Sequence, residues 1–526
     1  IDAELHPVIS KIEVKTGWGK SPLSVEKILK MDNIKFAKYL TQFKTVDPWE
    51  GPTVEALAES LKTAVKTNPE KFTKDLKAFL NVGYLYIAKL LEGLKEAITE
   101  DKPVAYEKVF GFIEKYVTRC EFWQDKFVVK SSLPATHTWV INAFCSFIEE
   151  GLKSEVYPIS EQFFEKVESL IHLMIRELLE IKKGEEKEEI TEYVVYSINT
   201  PIGHLIETYI KLVLKTLQFS YDKKDLVIKS FIKKYKELLK KSIIEAYTLF
   251  GMYFLSFYFH IDKDFAVETA KSLKKKEETW EAFMEGYLYT GQIYKEVYEL
   301  MKEHYEVSLE YNFKSKFAKE KLIGHISIGY LIGLENLESS SLFYKLVEKF
   351  DSDDIDKIIW GLWSQRDYLK EDNERNEQIK KRILDFWRFV YDKLKGKKEE
   401  LSEKVKEILS DIVRLTCFLP ELREPYADWL KMSAEFIKDP IRFSLLLEEL
   451  ERFKEIGDRI KTAKNIGEIL LNVKQPFTYP KDKIEAFIKY LCDTPDDKVK
   501  DIAKCICENY VKKGVYDFKE VCEKCS

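Results

Sequence analysis

Residues 200–217 read TPIGHLIETYIKLVLKTL. Thr200 is a side-chain cap for a helix start. Pro201 fits the first helical position, where the N–H it lacks would have no intrahelical acceptor. Behind them Leu205, Ile206, Tyr209, Leu212, Val213 and Leu217 recur at the 3.6-residue period and mark one helix face. The same device repeats along the chain. Thr53 precedes Val54, Leu57, Ala58, Leu61 and Val65, and Asn68-Pro69 opens the next helix. Asp353 stands as the cap before Ile355, Ile358, Ile359, Leu362 and Trp363. No run alternates apolar and polar residues between glycine turns, so the spacing predicts no sheet.

Working outward, the chain is an all-α array of about 25 candidate helices. Only 20 Gly and 15 Pro punctuate 526 residues, below the usual ~7% and ~5%, which favours long helices with short connections. Single cores stop growing near ~250–300 residues, so the length calls for several domains or one stack of units. No fixed internal period such as the tetratricopeptide consensus is present. The expected architecture is an irregular α-solenoid of stacked helix pairs, HEAT-like or tetratricopeptide-like. Breaks fall at Lys182–Glu189, Lys395–Ser402 and Leu470–Lys481. The first two are charged, exposed stretches and the third is read as a boundary; the expected organisation is lead-in helices over 1–45, helical-repeat regions over 46–260 and 261–470, and a helical cap over 471–526.

Hydrophobic residues make up 45% and charged residues 33%, which marks a globular chain rather than a disordered one. The net charge of −5 gives no global reason to expect nucleic acid. The Lys and Glu surplus resembles the composition of heat-adapted proteins, including those of archaea. Eight Cys in so long a chain do not suit a disulfide scaffold, so reduced thiols in the cytoplasm are the default expectation. The first residue is Ile1, and the chain is read as a fragment of a larger protein. Residues 243–259, IIEAYTLFGMYFLSFYF, carry Glu245 and fall short of the ~20 residues that span a bilayer. A helix apolar all round is read here as a buried one.

Chemistry-bearing motifs are sparse. Gly17-Trp18-Gly19-Lys20-Ser21 contains GKS, but the phosphate loop needs a glycine where Val14 stands. The seven His, at 6, 137, 172, 204, 260, 304 and 325, form no dense ligand motif. Cys505, Cys507, Cys522 and Cys525 are the best zinc candidates, as four thiolates suit a tetrahedral site. Against that, Cys505 and Cys507 point about 200° apart on a helix. A pair of small core residues and a frayed tail is the preferred reading, with no metal, cofactor or catalytic residue expected.

Two surface features remain. Over Asp225–Lys241, Lys223, Lys224, Lys229, Lys233, Lys234, Lys236, Lys240 and Lys241 outnumber Asp222, Asp225 and Glu237. Such a face is ordinarily a solvated one. Its alternative is a meeting place for an acidic partner, with Lys233, Lys236 and Lys240 as the candidate residues. Trp360 points away from the stripe of Ile355, Ile359 and Leu362. It either packs against a further helix layer, the preferred reading in a multi-layer array, or anchors a partner.

Four stretches carry a resemblance: GWGKSPLSVEKILKMDNIKFAKYLTQF (17–43), DPWEGPTVEALAESLKTAVKTNPEKF (47–72), YVVYSINTPIGHLIETYIKLVL (193–214) and ETWEAFMEGYLYTGQIYKEVYELMKEHY (278–305). In order and spacing they resemble the helical C-terminal regions of large bacterial and archaeal STAND-type NTPases, including Avs-like antiviral proteins. The chain departs from that pattern at Ile202, where an Arg is expected before Gly203. The resemblance implies a sensor that clasps a viral structural protein such as a terminase or portal subunit. Binding there would activate NTPase and effector domains upstream, with assembly through the full-length protein. From the charge and the short apolar stretch above, no membrane or nucleic-acid partner is expected. The rival readings are a stand-alone α-solenoid scaffold and an enzyme whose site assembles from distant residues.

Overall fold

The computed structural model describes residues 19–45, 51–183, 189–218, 224–397 and 401–523. Within them the fold is all-α: 28 α-helices, short 3-10 turns, one π turn and no strand. The sole β feature among the described residues is a single bridge between Lys20 and Pro52. Caps set many of the starts. Thr53 Oγ1 accepts from the Ala56 N–H at 3.1 Å, Asn68 Oδ1 from Lys71 at 3.1 Å and Thr200 Oγ1 from Gly203 at 3.1 Å. One expected cap is displaced. Asp351, not Asp353, accepts from the N–H groups of Asp353 and Asp354, both at 3.1 Å. Asp353 instead lies in the first turn of the helix Ser352–Ser364, where its charge suits the positive end of the dipole.

The chain divides into two compact units, Ile1–Tyr287 and Leu288–Ser526.

In the first unit, Val54–Thr67, Tyr84–Thr99, His137–Lys153, Pro201–Thr216 and Ile244–Met252 form one row, each packed on the next. A second row starts with Asn33–Gln42 on the turn Leu76–Phe79 and continues through Tyr106–Val117 to Phe164–Lys182. Stacking of alternate helices in two rows is the solenoid-like arrangement expected of paired helices. The backbones approach closely. A Cβ added at Gly93 would lie 2.6 Å from the Lys62 carbonyl oxygen of the neighbouring helix.

The apolar stretch 243–259 is no membrane span. It breaks into Ile244–Met252, Phe254–Ser256 and a π turn at Phe257–Ile261, and no described helix is long and apolar enough to cross a bilayer. Phe250, Phe254 and Phe257 are fully buried and meet one another and Tyr235, Phe265 and Phe283 at centroid separations of 5.0–6.3 Å. These are mostly the edge-on and tilted geometries that ring quadrupoles favour. Glu245, 1% exposed, is matched by Lys182 Nζ at 3.0 Å.

In the second unit, Lys316–Leu331, Ser352–Ser364, Glu403–Asp411, Tyr426–Ala434, Arg459–Asn472 and Asp497–Lys512 likewise form a row of successive contacts. The long helix Glu374–Leu394 packs across it, touching Lys316–Leu331, the turn Ile412–Phe418 and Tyr426–Ala434.

Candidate functional site

Of the motifs singled out in the sequence, GKS begins at the edge of the described residues. The Lys20 carbonyl accepts from the Thr53 N–H at 3.1 Å, which spends this segment on holding a helix start.

The cysteines are arranged otherwise than expected. Cys507 is joined to Cys522 in a disulfide, and Cys492 is also disulfide-bonded. This corrects the expectation of reduced thiols throughout. Cys507 lies on the buried face of Asp497–Lys512, where the short helix Lys519–Glu523 brings Cys522 against it, while Cys505 faces solvent. Cys525 lies outside the described residues. Among the described residues no group of three or more His, Cys, Asp or Glu has the geometry to hold a metal ion.

The lysine face forms on the helix Lys224–Lys240 of the first unit. Phe231 and Tyr235 are fully buried on one side, and Lys229, Lys233, Lys236 and Lys240 are exposed on the other, spaced by four, three and four residues. Lys233 and Lys240 have no ion-pair partner among the described residues, and Lys236 Nζ sits 5.4 Å from the Phe265 ring centroid.

Trp360 belongs to the second unit and is 58% exposed, so the packing reading preferred from the sequence is corrected. It sits beside Gly361, whose Cα faces open space, and no ring or cation among the described residues lies against it. Trp363, one turn on, is by contrast covered by the guanidinium groups of Arg366 at 3.8 Å and Arg414 at 5.5 Å.

Sequence reasoning missed a groove beside the helix Glu374–Leu394. Glu377, Lys381, Leu384 and Arg388 recur at the helical period along one face and form one wall. The opposite wall comes from the segment Phe418–Pro420, Tyr426 and Arg452, and the cavity measures about 540 Å³. A further recess of about 350 Å³ shares Lys381, Asp385 and Arg388 and runs on to Tyr330, Leu337 and Arg382. Arg452 is held in place by donating to the carbonyls of Thr416 and Leu419 at 3.3 and 3.0 Å. Lys380 pairs with Glu377 at 2.8 Å and Arg388 with Asp385 at 3.1 Å, whereas Lys381 is exposed with no carboxylate partner among the described residues. Only the helical repetition along 377–388 was visible in the sequence, and a charged stripe at that period reads as a solvated face until the opposite wall is known.

No family model matches the chain, and no curated protein matches it.

Proposed function

We propose that this chain is the ligand-sensing, protein-binding helical region of an antiviral STAND-type NTPase. On this reading it recognises a viral structural protein and promotes activation of domains that precede it. Two things support the reading: the resemblance of residues 17–43, 47–72, 193–214 and 278–305 to such regions, and rows of stacked helices with long exposed faces. The single observation that carries most weight is Trp360. An indole 58% exposed beside an open glycine is the kind of anchor on which protein interfaces concentrate their energy. A specific partner needs about 1,200–2,000 Å² of total burial, which a helical array of this length supplies. To throw an attached NTPase from 1:99 to 99:1 in favour of the active state, the partner must bind that state better by about 5.5 kcal/mol.

The test is co-purification of the tagged chain with individually expressed terminase and portal subunits, and stimulation of ATP hydrolysis in the parent protein by whichever subunit binds. Capture of one subunit, reduced by Trp360→Ala, is the expected result. If none is captured and the upstream coding sequence contains no NTPase, the reading is wrong and the scaffold alternative takes its place.

A further inference from the structure

We propose that the groove beside the helix Glu374–Leu394 is a docking channel for an extended acidic segment of a partner protein. The inference deepens the protein-binding reading above by naming the chemistry of the ligand. The walls of the cavity and its adjoining recess carry five cations, Lys380, Lys381, Arg382, Arg388 and Arg452, against two carboxylates, Glu377 and Asp385. Arg452 is also paired with Glu449 at 3.4 Å and Lys380 with Asp372 at 3.7 Å, so the groove with its flanking carboxylates is net positive by one, in a chain whose net charge is −5. Such a local reversal of sign attracts and orients an anionic partner.

The pairing within the groove strengthens this. Glu377 is engaged by Lys380 and Asp385 by Arg388, so each carboxylate is already neutralised by a cation of the same wall. The cation left over in the middle of the channel is Lys381, exposed and shared by both cavities. The same cavity offers apolar surface from Leu384 and Pro420. A ligand that suits both alternates acidic groups, for Lys381 and Arg388, with apolar side chains for this surface.

The dimensions fit an extended peptide. From Gln378 to Arg388 the helix rises ~15 Å at ~1.5 Å per residue, which matches four or five extended residues at ~3.3 Å each. Single-stranded nucleic acid is the less suitable polyanion. It binds by stacking successive bases on exposed aromatic faces, and here Trp429 is 4% exposed and Phe418 6%, which leaves the half-buried Tyr426 as the single accessible ring of the lining.

The test uses the full chain and an acetylated, fluorescein-labelled decapeptide of alternating Glu and Phe, measured by fluorescence anisotropy. Parallel arms are the Gln–Phe decapeptide, the Lys–Phe decapeptide and a ten-nucleotide oligothymidine. Saturable binding of the Glu–Phe peptide, at least tenfold tighter than the Gln–Phe arm and weakening as salt rises, is expected. The double variant Lys381→Glu/Arg388→Glu should lose at least tenfold in affinity. Lys233→Glu/Lys240→Glu, on the other unit, should leave binding unchanged. Both pairs change exposed side chains, and circular dichroism of each variant checks that the fold is retained.

Equal binding of the Gln–Phe peptide, tighter binding of the oligonucleotide, or full affinity in Lys381→Glu/Arg388→Glu would overturn the proposal. The two levels fail separately. A viral subunit still captured by Lys381→Glu/Arg388→Glu removes the groove but not the sensing role. Acidic-peptide binding without capture of any viral subunit removes the sensing role but not the groove.

Discussion

His325 is 3% exposed, with its Nε2 2.6 Å from the Thr290 carbonyl oxygen and its Nδ1 3.0 Å from the Tyr305 hydroxyl. A carbonyl only accepts, so Nε2 carries the proton and Nδ1 accepts from the tyrosine, which describes a neutral ring. Burial, helped by the charge of Lys321, depresses its pKa to about 4. The unfolded chain therefore takes up this proton first. The stabilisation tied to the neutral ring is complete above pH ~6.5 and is lost as pH falls towards 4. Urea unfolding between pH 7 and 4 should show that loss, and His325→Gln should flatten it.

Glu285 works in the opposite sense. It is 2% exposed; its Oε1 accepts from the Val194 N–H at 3.0 Å, and its Oε2 has no hydrogen-bond partner among the described residues. Burial, with Glu281 and Glu192 nearby, raises its pKa above 4.5. A raised carboxyl favours the folded state while protonated, so this contribution is present below pH 4.5 and is lost as pH rises through the folded value. Glu285→Gln keeps the acceptor for Val194 and removes the charge. It should raise the melting temperature at pH 8 more than at pH 5.

At the scale of elements, helix crossings set the tolerance to change. A Cβ at Gly251 would lie 2.2 Å from the Phe283 carbonyl oxygen, and one at Gly286 would lie 2.0 Å from that of Thr248. Each is a backbone contact that cannot be relieved by turning a side chain. Gly251→Ala and Gly286→Ala should each destabilise by about 1–3 kcal/mol in urea melts. Because both open the same crossing, the double variant should cost less than the sum of the two.

The helices that cross here were legible from the sequence because their signals are local. Thr53, Asn68 and Thr200 cap as read, each within three residues of its partner. Asp351 displaced Asp353 because both are acidic and the sequence does not say which keeps extended backbone. Trp360 could be placed off the buried stripe by angle alone, yet whether another layer would cover it depends on helices far away in sequence. The groove was not legible for the same reason, its walls coming from 377–388, 418–426 and 452. Nor was the pairing of Cys507 with Cys522, which depends on how Lys519–Glu523 folds back on the preceding helix. That crosslink joins residues 15 apart and should be worth about 3 kcal/mol by loop-entropy reasoning. Adding dithiothreitol should raise hydrogen exchange across 497–523 while leaving 54–67 and 84–99 unchanged.

At the scale of the molecule, division into two compact units makes strain local. In Gly286→Ala, hydrogen exchange should accelerate in Ile244–Met252 and Glu278–Tyr289 and remain at wild-type rates from Arg459 to Lys512. Acceleration spread evenly over all 526 residues would mean that the chain opens as one cooperative body. The charge pattern follows the same division. The lysine face belongs to the first unit and the cationic groove to the second, so each can be reversed in sign without touching the other.

The row arrangement also bears on descent. Tyr84–Thr99 packs chiefly on Val54–Thr67 and His137–Lys153 among the members of its row, so a duplicated or deleted helix pair would lengthen or shorten the row by one step while leaving distant packing intact. A lineage can in this way rescale its contact surface to fit a changing target, as a ruler gains or loses a division, without inventing a new core.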